Sequence, residues 1–154
     1  MLTAAALALA GVVAGAAPEL FLWPGPTLLV LVAASLTLVA SIQLHYHARH
    51  YYYTTADIQA WYGPDVSTES EEYLDLCAAQ RLDLDEWRRY IRWAIVCFNA
   101  GTSLLGLGVS LALAPANGGP QAVWRWVALA MVLACTVADI LWITYLYRER
   151  NRQR

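Results

Sequence analysis

The chain has 154 residues, of which 59% are hydrophobic and 14% charged, and its formal net charge is −2. Soluble domains carry about 25% charged residues, so this composition indicates an integral membrane protein and argues against an ordinary soluble domain. The charge balance also lacks the basic excess of nucleic-acid-binding proteins, and we expect no nucleic-acid partner.

Four apolar stretches follow one another along the chain, at about residues 2–23, 27–46, 90–114 and 121–147. Each contains roughly 20 or more mostly apolar residues, the length at which an α-helix crosses ~30 Å of hydrocarbon. No basic residue precedes the first stretch, so we interpret it as a retained helix and not as a signal peptide. The sequence therefore predicts an all-α, polytopic membrane protein with four transmembrane helices in two hairpins.

The connections between these stretches are unequal. Residues 24–26 and 115–120 are rich in proline and glycine and predict tight turns within each hairpin. A longer, charged segment separates the two hairpins. The predicted organisation is transmembrane hairpin 1 (1–47), a cytoplasmic helical segment (48–89), transmembrane hairpin 2 (90–148) and a basic cytoplasmic tail (149–154).

The distribution of arginine predicts the orientation in the membrane. All ten basic residues are arginines, and neither tight turn contains one, whereas the central segment and the C-terminal tail each contain several. Basic residues collect in cytoplasmic loops of membrane proteins. We therefore expect both termini and the central segment on the cytoplasmic side of the inner or plasma membrane.

The central segment is expected to form a short helical layer beside the bilayer. The second helix is predicted to continue through Tyr51–Tyr53 and to stop near Gly63–Pro64, because proline disfavours helix in the residue before it. Thr68 and Glu71 have the spacing of a capping box and predict the start of a short helix. Asp83 and Glu86 are expected to cap the start of the long third transmembrane helix.

One acidic residue, Asp139, falls inside a predicted transmembrane helix. It lies eight residues before Tyr147, which is ~12 Å along the helix axis. Asn99 and Ser41 are expected at a similar depth and Gln43 slightly closer to the cytoplasm, and together these side chains predict a polar layer. Such a layer could conduct or bind protons or ions, or its hydrogen bonds could simply hold the helices in register.

Three histidines, His45, His47 and His50, lie at the end of the second apolar stretch and just after it. His47 and His50 are three residues apart and share a helix face, whereas His45 and His47 point apart. The pair could bind a metal with carboxylates of the central segment, or could sense pH at the membrane surface. The alternative is an interfacial helix whose imidazoles meet lipid headgroups and water.

Small residues mark the faces where helices are expected to pack closely. Gly11 and Gly15 form a GxxxG motif in the first stretch. The third stretch contains Gly101, Gly106 and Gly108. Glycine lets two helix backbones approach each other, within one chain or between chains.

These features favour three functional hypotheses. The first is a non-enzymatic membrane subunit that associates with itself or with other membrane subunits in the lipid bilayer. The second is an oligomeric ion or proton channel or pore, such as a membrane effector, built around Asp139 and Asn99. The third is a metal- or redox-linked enzyme that uses the histidine cluster. No motif in the sequence predicts a bound cofactor.

Overall fold

The computed structural model describes residues 1–16, 21–62, 71–116, 119 and 121–152. In these residues the chain is helical, and its only β-type pairing is an isolated bridge between Phe21 and Pro115. The α-helices of the described residues are α1 (Leu2–Gly15), α2 (Pro24–Ala48), α3 (Thr55–Tyr62), α4 (Glu71–Leu113) and α5 (Ala122–Arg152). A 3-10 turn, Arg49–Tyr51, follows α2.

Three of these helices are long and apolar enough to cross a membrane. The candidate spans are Pro24–Tyr51, Tyr73–Leu113 and Ala122–Glu149. A helix that crosses the bilayer needs about 20 residues, and each of these segments exceeds that length. The prediction of an all-helical membrane protein is therefore confirmed for the described residues.

The first helix is shorter than the sequence predicts. The apolar stretch was expected to be helical up to residue 23, but α1 ends at Gly15 and Ala16 has an extended backbone. Its 14 residues span ~21 Å at 1.5 Å per residue, which is less than the hydrocarbon thickness. Gly15 has a low helix propensity and lets the helix end there. Residues 17–20 lie outside the described residues.

The second helix also ends earlier than predicted. It was expected to continue through Tyr51–Tyr53, but Tyr52 is extended and a new helix, α3, begins at Thr55. The Thr54 N–H donates to Asp57 Oδ2 at 2.6 Å, and the Asp57 N–H donates to Thr54 Oγ1 at 3.3 Å. This reciprocal cap, at the end of an aromatic and β-branched run with low helix propensity, starts α3 independently of α2.

The predicted break before the third transmembrane helix is wrong. Asp83 was expected to cap a new helix, but α4 runs without interruption for 43 residues. No proline or glycine occurs between residues 71 and 100, and pairs such as Arg88–Asp85 (3.1 Å) lie along the helix surface. The predicted capping residue Thr68 lies outside the described residues.

The chain forms two compact units, one from residues Met1–Val39 and Cys97–Arg154 and the other from residues Ala40–Val96. In the first unit, Ala10 and Val13 of α1 pack with Leu31 of α2 in a small buried cluster. Leu105 and Ala112 of α4 cover this cluster. In this unit α1 is therefore packed on α2 and α4 through small and branched apolar side chains.

Two of the predicted packing glycines lie between α2 and α4 in the same unit. A Cβ at Gly101 would lie 2.7 Å from Leu38 Cγ, and a Cβ at Gly108 would lie 2.7 Å from Leu31 Cδ2. The higher-numbered glycine contacts the lower-numbered leucine, so the two helices are antiparallel. Their backbones approach closely because glycine has no side chain at these positions.

A third glycine lies between α4 and α5. A Cβ at Gly106 would overlap the hydroxyl of Thr136. Near the ends of these helices, Arg125 donates from Nε to the Leu113 carbonyl and from a terminal nitrogen to the Ala112 carbonyl, both at 3.2 Å. Carbonyls at the end of a helix lack partners within the helix, so Arg125, in the first turn of α5, caps the end of α4.

Candidate functional site

The outer surface of α5 is the most unusual feature of the first unit. Thr136 is the one buried residue among the described residues of this helix. Large apolar side chains such as Leu141 (63% exposed) and Trp142 (61% exposed) have little cover. A membrane-spanning helix with so little packing inside its own chain faces either lipid or another protein.

Asp139 lies on this exposed helix. It is three residues beyond Thr136, and its side chain has no hydrogen bond or ion pair within the described part of the chain. Cys135, Trp142 and Leu146 are exposed at positions that share its helix face, with spacings of four, three and four residues. We call these four residues, Cys135, Asp139, Trp142 and Leu146, the Asp139 face.

Asn99 does not complete a polar pair with Asp139. No hydrogen bond joins these two side chains in the described structure. The Asn99 backbone carbonyl instead accepts from the hydroxyls of Thr102 at 3.0 Å and Ser103 at 2.9 Å, which are bonds within α4. The predicted polar layer therefore stays a prediction for these two residues.

The other two members of the predicted layer belong to the second unit. Ser41 is buried and its hydroxyl donates to the Ala94 carbonyl at 2.8 Å, which links α2 to α4. Gln43 is exposed, without a side-chain hydrogen bond among the described residues. Ser41 has the geometry of a helix-packing residue, because its hydroxyl is already committed to a backbone carbonyl.

The histidines lie among aromatic rings in the second unit. The ring of His47 meets the ring of Tyr90 edge-on at 4.7 Å between centroids, and it lies 6.1 Å from the ring of His50. Tyr51 stacks on Tyr90 at 5.5 Å with an angle of 13° between the rings. Among the described residues, no three His, Cys, Asp or Glu side chains are placed to hold a metal ion together.

Sequence reasoning did not assign a role to the consecutive tyrosines that follow the histidines. They diverge to different partners on α4: Tyr51 stacks on Tyr90, while Tyr52 lies 5.3 Å from the ring of Trp87. The Tyr53 hydroxyl donates to Asp83 Oδ2 at 2.7 Å. The break of helix at Tyr52 permits this divergence. Its detectable signal is the low helix propensity of the tyrosine and threonine run.

The first predicted glycine motif meets no neighbouring helix among the described residues. A Cβ added at Gly11 or Gly15 would meet no atom within 4 Å. This contrasts with Gly101, Gly106 and Gly108, which all face side chains of neighbouring helices.

Comparisons with protein families, with curated proteins and with solved structures find no match to this chain.

Proposed function

We propose that this protein is a small non-enzymatic membrane subunit that associates with a second copy of itself through the Asp139 face of α5. In this proposal α1 is a fourth, short membrane helix, and the arginine-rich centre and tail lie on the cytoplasmic side. The observation that carries the proposal is the exposure of Asp139 on a candidate membrane span in which Thr136 is the one buried residue among those described.

The energetic argument begins with the carboxyl group. An ionisable side chain at mid-membrane depth costs ~2.5–3.5 kcal/mol on insertion scales unless a polar partner accompanies it. The described chain supplies Asp139 with no such partner. A polar contact from another transmembrane helix would offset part of this cost.

The pattern around Asp139 supports helix pairing. Cys135, Asp139, Trp142 and Leu146 alternate by four and three residues, the spacing of a seam between two nearly parallel helices. In a two-fold dimer the same surface of both copies meets, so the two carboxyls would lie at one level. Two neighbouring carboxyls favour the state in which one is protonated and can donate a hydrogen bond to the other.

The test measures association in liposomes at a series of protein-to-lipid ratios, by energy transfer between labelled copies, and the native mass in mild detergent. Asp139→Leu should weaken association about tenfold, since polar contacts between membrane helices contribute ~1–2 kcal/mol in peptides. Asp139→Asn should retain most of it, because an amide still forms hydrogen bonds. A wild-type protein that stays monomeric at every ratio would overturn the proposal.

Two leucines provide a matched control for the choice of face. Leu146 belongs to the Asp139 face, whereas Leu141 lies about 140° away around the helix at 100° per residue. Both are exposed. We expect Leu146→Ala to weaken association and Leu141→Ala to leave it unchanged. Equal effects of the two substitutions would mean that association does not use this face.

The same exposed carboxyl favours a second candidate, an oligomeric ion or proton channel. In an oligomer, Asp139 could line a path between subunits and bind the ion that passes. Ion or proton flux into liposomes that contain the protein tests this function. Flux that is abolished by Asp139→Asn, while association persists, would support the channel, and absence of flux in the wild type would leave association alone as the role of α5.

A further inference from the structure

A pocket of about 290 Å³ lies within the second unit, between the end of α2 and the middle of α4. His45 and Arg49 line it from α2 and the turn that follows, Tyr52 lines it from the break before α3, and Trp87 and Ile91 line it from α4. The pocket therefore combines a guanidinium, an imidazole, a phenol and an indole N–H with an apolar wall. Of the three histidines of the predicted cluster, His45 lines this pocket, and the role proposed for α5 does not involve it.

The polar groups of this pocket form no hydrogen bond or ion pair with other described residues. The side chains of His45, Arg49 and Trp87 have no hydrogen bond or ion pair within the described residues, and the Tyr52 side chain has only its ring contact with Trp87. Arg49 in particular has no carboxylate partner there. A guanidinium beside two aromatic rings in a pocket, without an anion of its own, is suited to bind an external one.

Acidic side chains on the same stretch of α4 have other partners. Asp83 accepts the hydrogen bond of the Tyr53 hydroxyl at 2.7 Å. Glu86 lies 3.6 Å from a terminal nitrogen of Arg89. Neither carboxylate lines the pocket, and both are occupied by nearby donors. The residues that line the pocket therefore include one guanidinium, that of Arg49, and no carboxylate.

The position of the pocket along α2 identifies the kind of anion. The helix is mostly apolar and has no charged side chain up to Leu44, whereas His45, His47 and Arg49 follow, so Arg49 lies just beyond the apolar segment. Tyrosine and tryptophan favour the depth of the lipid headgroups, where their apolar ring and polar edge are both satisfied. Ile91 gives the pocket an apolar wall of the kind that an acyl chain or glycerol backbone contacts.

We propose that this pocket binds the phosphate of an anionic phospholipid, with the Arg49 guanidinium as the main ligand and His45, Tyr52 and Trp87 as further donors. Arginine forms paired hydrogen bonds with phosphate oxygens, and basic pockets at the ends of membrane helices bind lipid headgroups. The proposal does not depend on association through α5, because all of its residues lie in the second unit.

The test uses the full-length protein in detergent, with phosphatidylglycerol or phosphatidylcholine added, and counts bound lipids by native mass spectrometry. We expect the first phosphatidylglycerol to bind about tenfold more tightly than phosphatidylcholine. Arg49→Gln should abolish this preference, and Trp87→Phe, which retains the ring but loses the N–H donor, should reduce it severalfold. Circular dichroism shows whether each variant keeps its helices.

The matched control is Arg148→Gln, which removes the same charge at the end of another apolar span and is not among the residues that line the pocket. It should bind phosphatidylglycerol as the wild type does. A third arm adds excess inorganic phosphate. Equal binding of the two lipids, equal losses in Arg49→Gln and Arg148→Gln, or displacement of the lipid by inorganic phosphate would each overturn the assignment to an anionic phospholipid.

Discussion

Gly108 of α4 faces Leu31 of α2 so closely that a Cβ at position 108 would lie 2.7 Å from Leu31 Cδ2 and 2.9 Å from its Cγ. Leu31 is completely buried, and it belongs to the cluster that also holds Ala10 and Val13. The leucine therefore has little room to move away. The contact explains why glycine is needed at this point of a helix in which glycine is otherwise unfavourable.

This contact predicts that Gly108→Ala destabilises the protein. The added methyl group would force Leu31 or the backbone to shift, and overpacking of a core costs about 1–3 kcal/mol, which exceeds the gain of up to ~1 kcal/mol in helix propensity. The free energy of unfolding in a detergent titration, followed by circular dichroism, measures the effect. Gly11→Ala is the control: its Cβ meets nothing within 4 Å, so it should be neutral or stabilising.

Removal of the Ser41 hydroxyl should lower the free energy of unfolding by a smaller amount than overpacking at Gly108. It donates to the Ala94 carbonyl at 2.8 Å between two helices, so Ser41→Ala should cost about 0.5–1.5 kcal/mol of unfolding free energy. Ser35 is equally well buried, but its hydroxyl donates to the Leu31 carbonyl of the same helix at 2.9 Å. Ser35→Ala should cost less, because it breaks no contact between helices. Equal costs for the two serines would contradict this interpretation of Ser41.

We predict that the Arg125 guanidinium stabilises the connection between α4 and α5. Arg125→Met keeps much of the side-chain length but removes the donors to the Ala112 and Leu113 carbonyls. Hydrogen bonds from charged groups contribute about 1.5–3 kcal/mol, and we expect a loss of that size. Amide hydrogen exchange near the end of α4 should accelerate. Arg148→Met, at the exposed opposite end of α5, should leave exchange at residues 110–114 unchanged.

The cap at the start of α3 predicts that the stability of this helix end, which lies outside the candidate membrane spans, depends on pH. Hydrogen bonds from the Thr54 backbone N–H and hydroxyl lower the pKa of Asp57 below its ordinary value of 3.8. A lowered pKa stabilises the folded state above the unfolded-state pKa, and that stabilisation is lost as pH falls through the lower, folded-state pKa. The beginning of α3 should therefore fray only in strong acid.

An NMR titration of the Asp57 carboxyl carbon checks this prediction. Thr54→Ala removes the hydroxyl donor and should move the pKa of Asp57 upward, toward 3.8. Tyr53→Phe is the control, because it removes a neighbouring hydroxyl that donates to Asp83 and not to Asp57. An Asp57 pKa that is the same in wild type and Thr54→Ala would show that the cap is not formed in solution.

The composition and the lengths of the apolar stretches were enough to predict the membrane class and the helical state of residues 27–46, 90–113 and 122–147. This follows because a bilayer demands long apolar helices whatever their neighbours are. Local signals were weaker guides to where helices end. The cap between Thr54 and Asp57 starts a new helix where α2 was expected to continue. Because no proline or glycine occurs between residues 71 and 100, α4 continues through Asp83, where a new helix was expected to begin.

Which polar and small residues meet was decided by tertiary structure. Sequence spacing gave Gly11 and Gly101 the same significance, yet only Gly101 faces a side chain of a neighbouring helix. The expected depth in the membrane placed Ser41 and Asp139 in one polar layer. In the structure the Ser41 hydroxyl donates a hydrogen bond to the Ala94 carbonyl, whereas Asp139 is exposed. The physical reason is that distance along a helix sets depth, whereas the rotation and pairing of helices set contacts, and these depend on how all the side chains pack together.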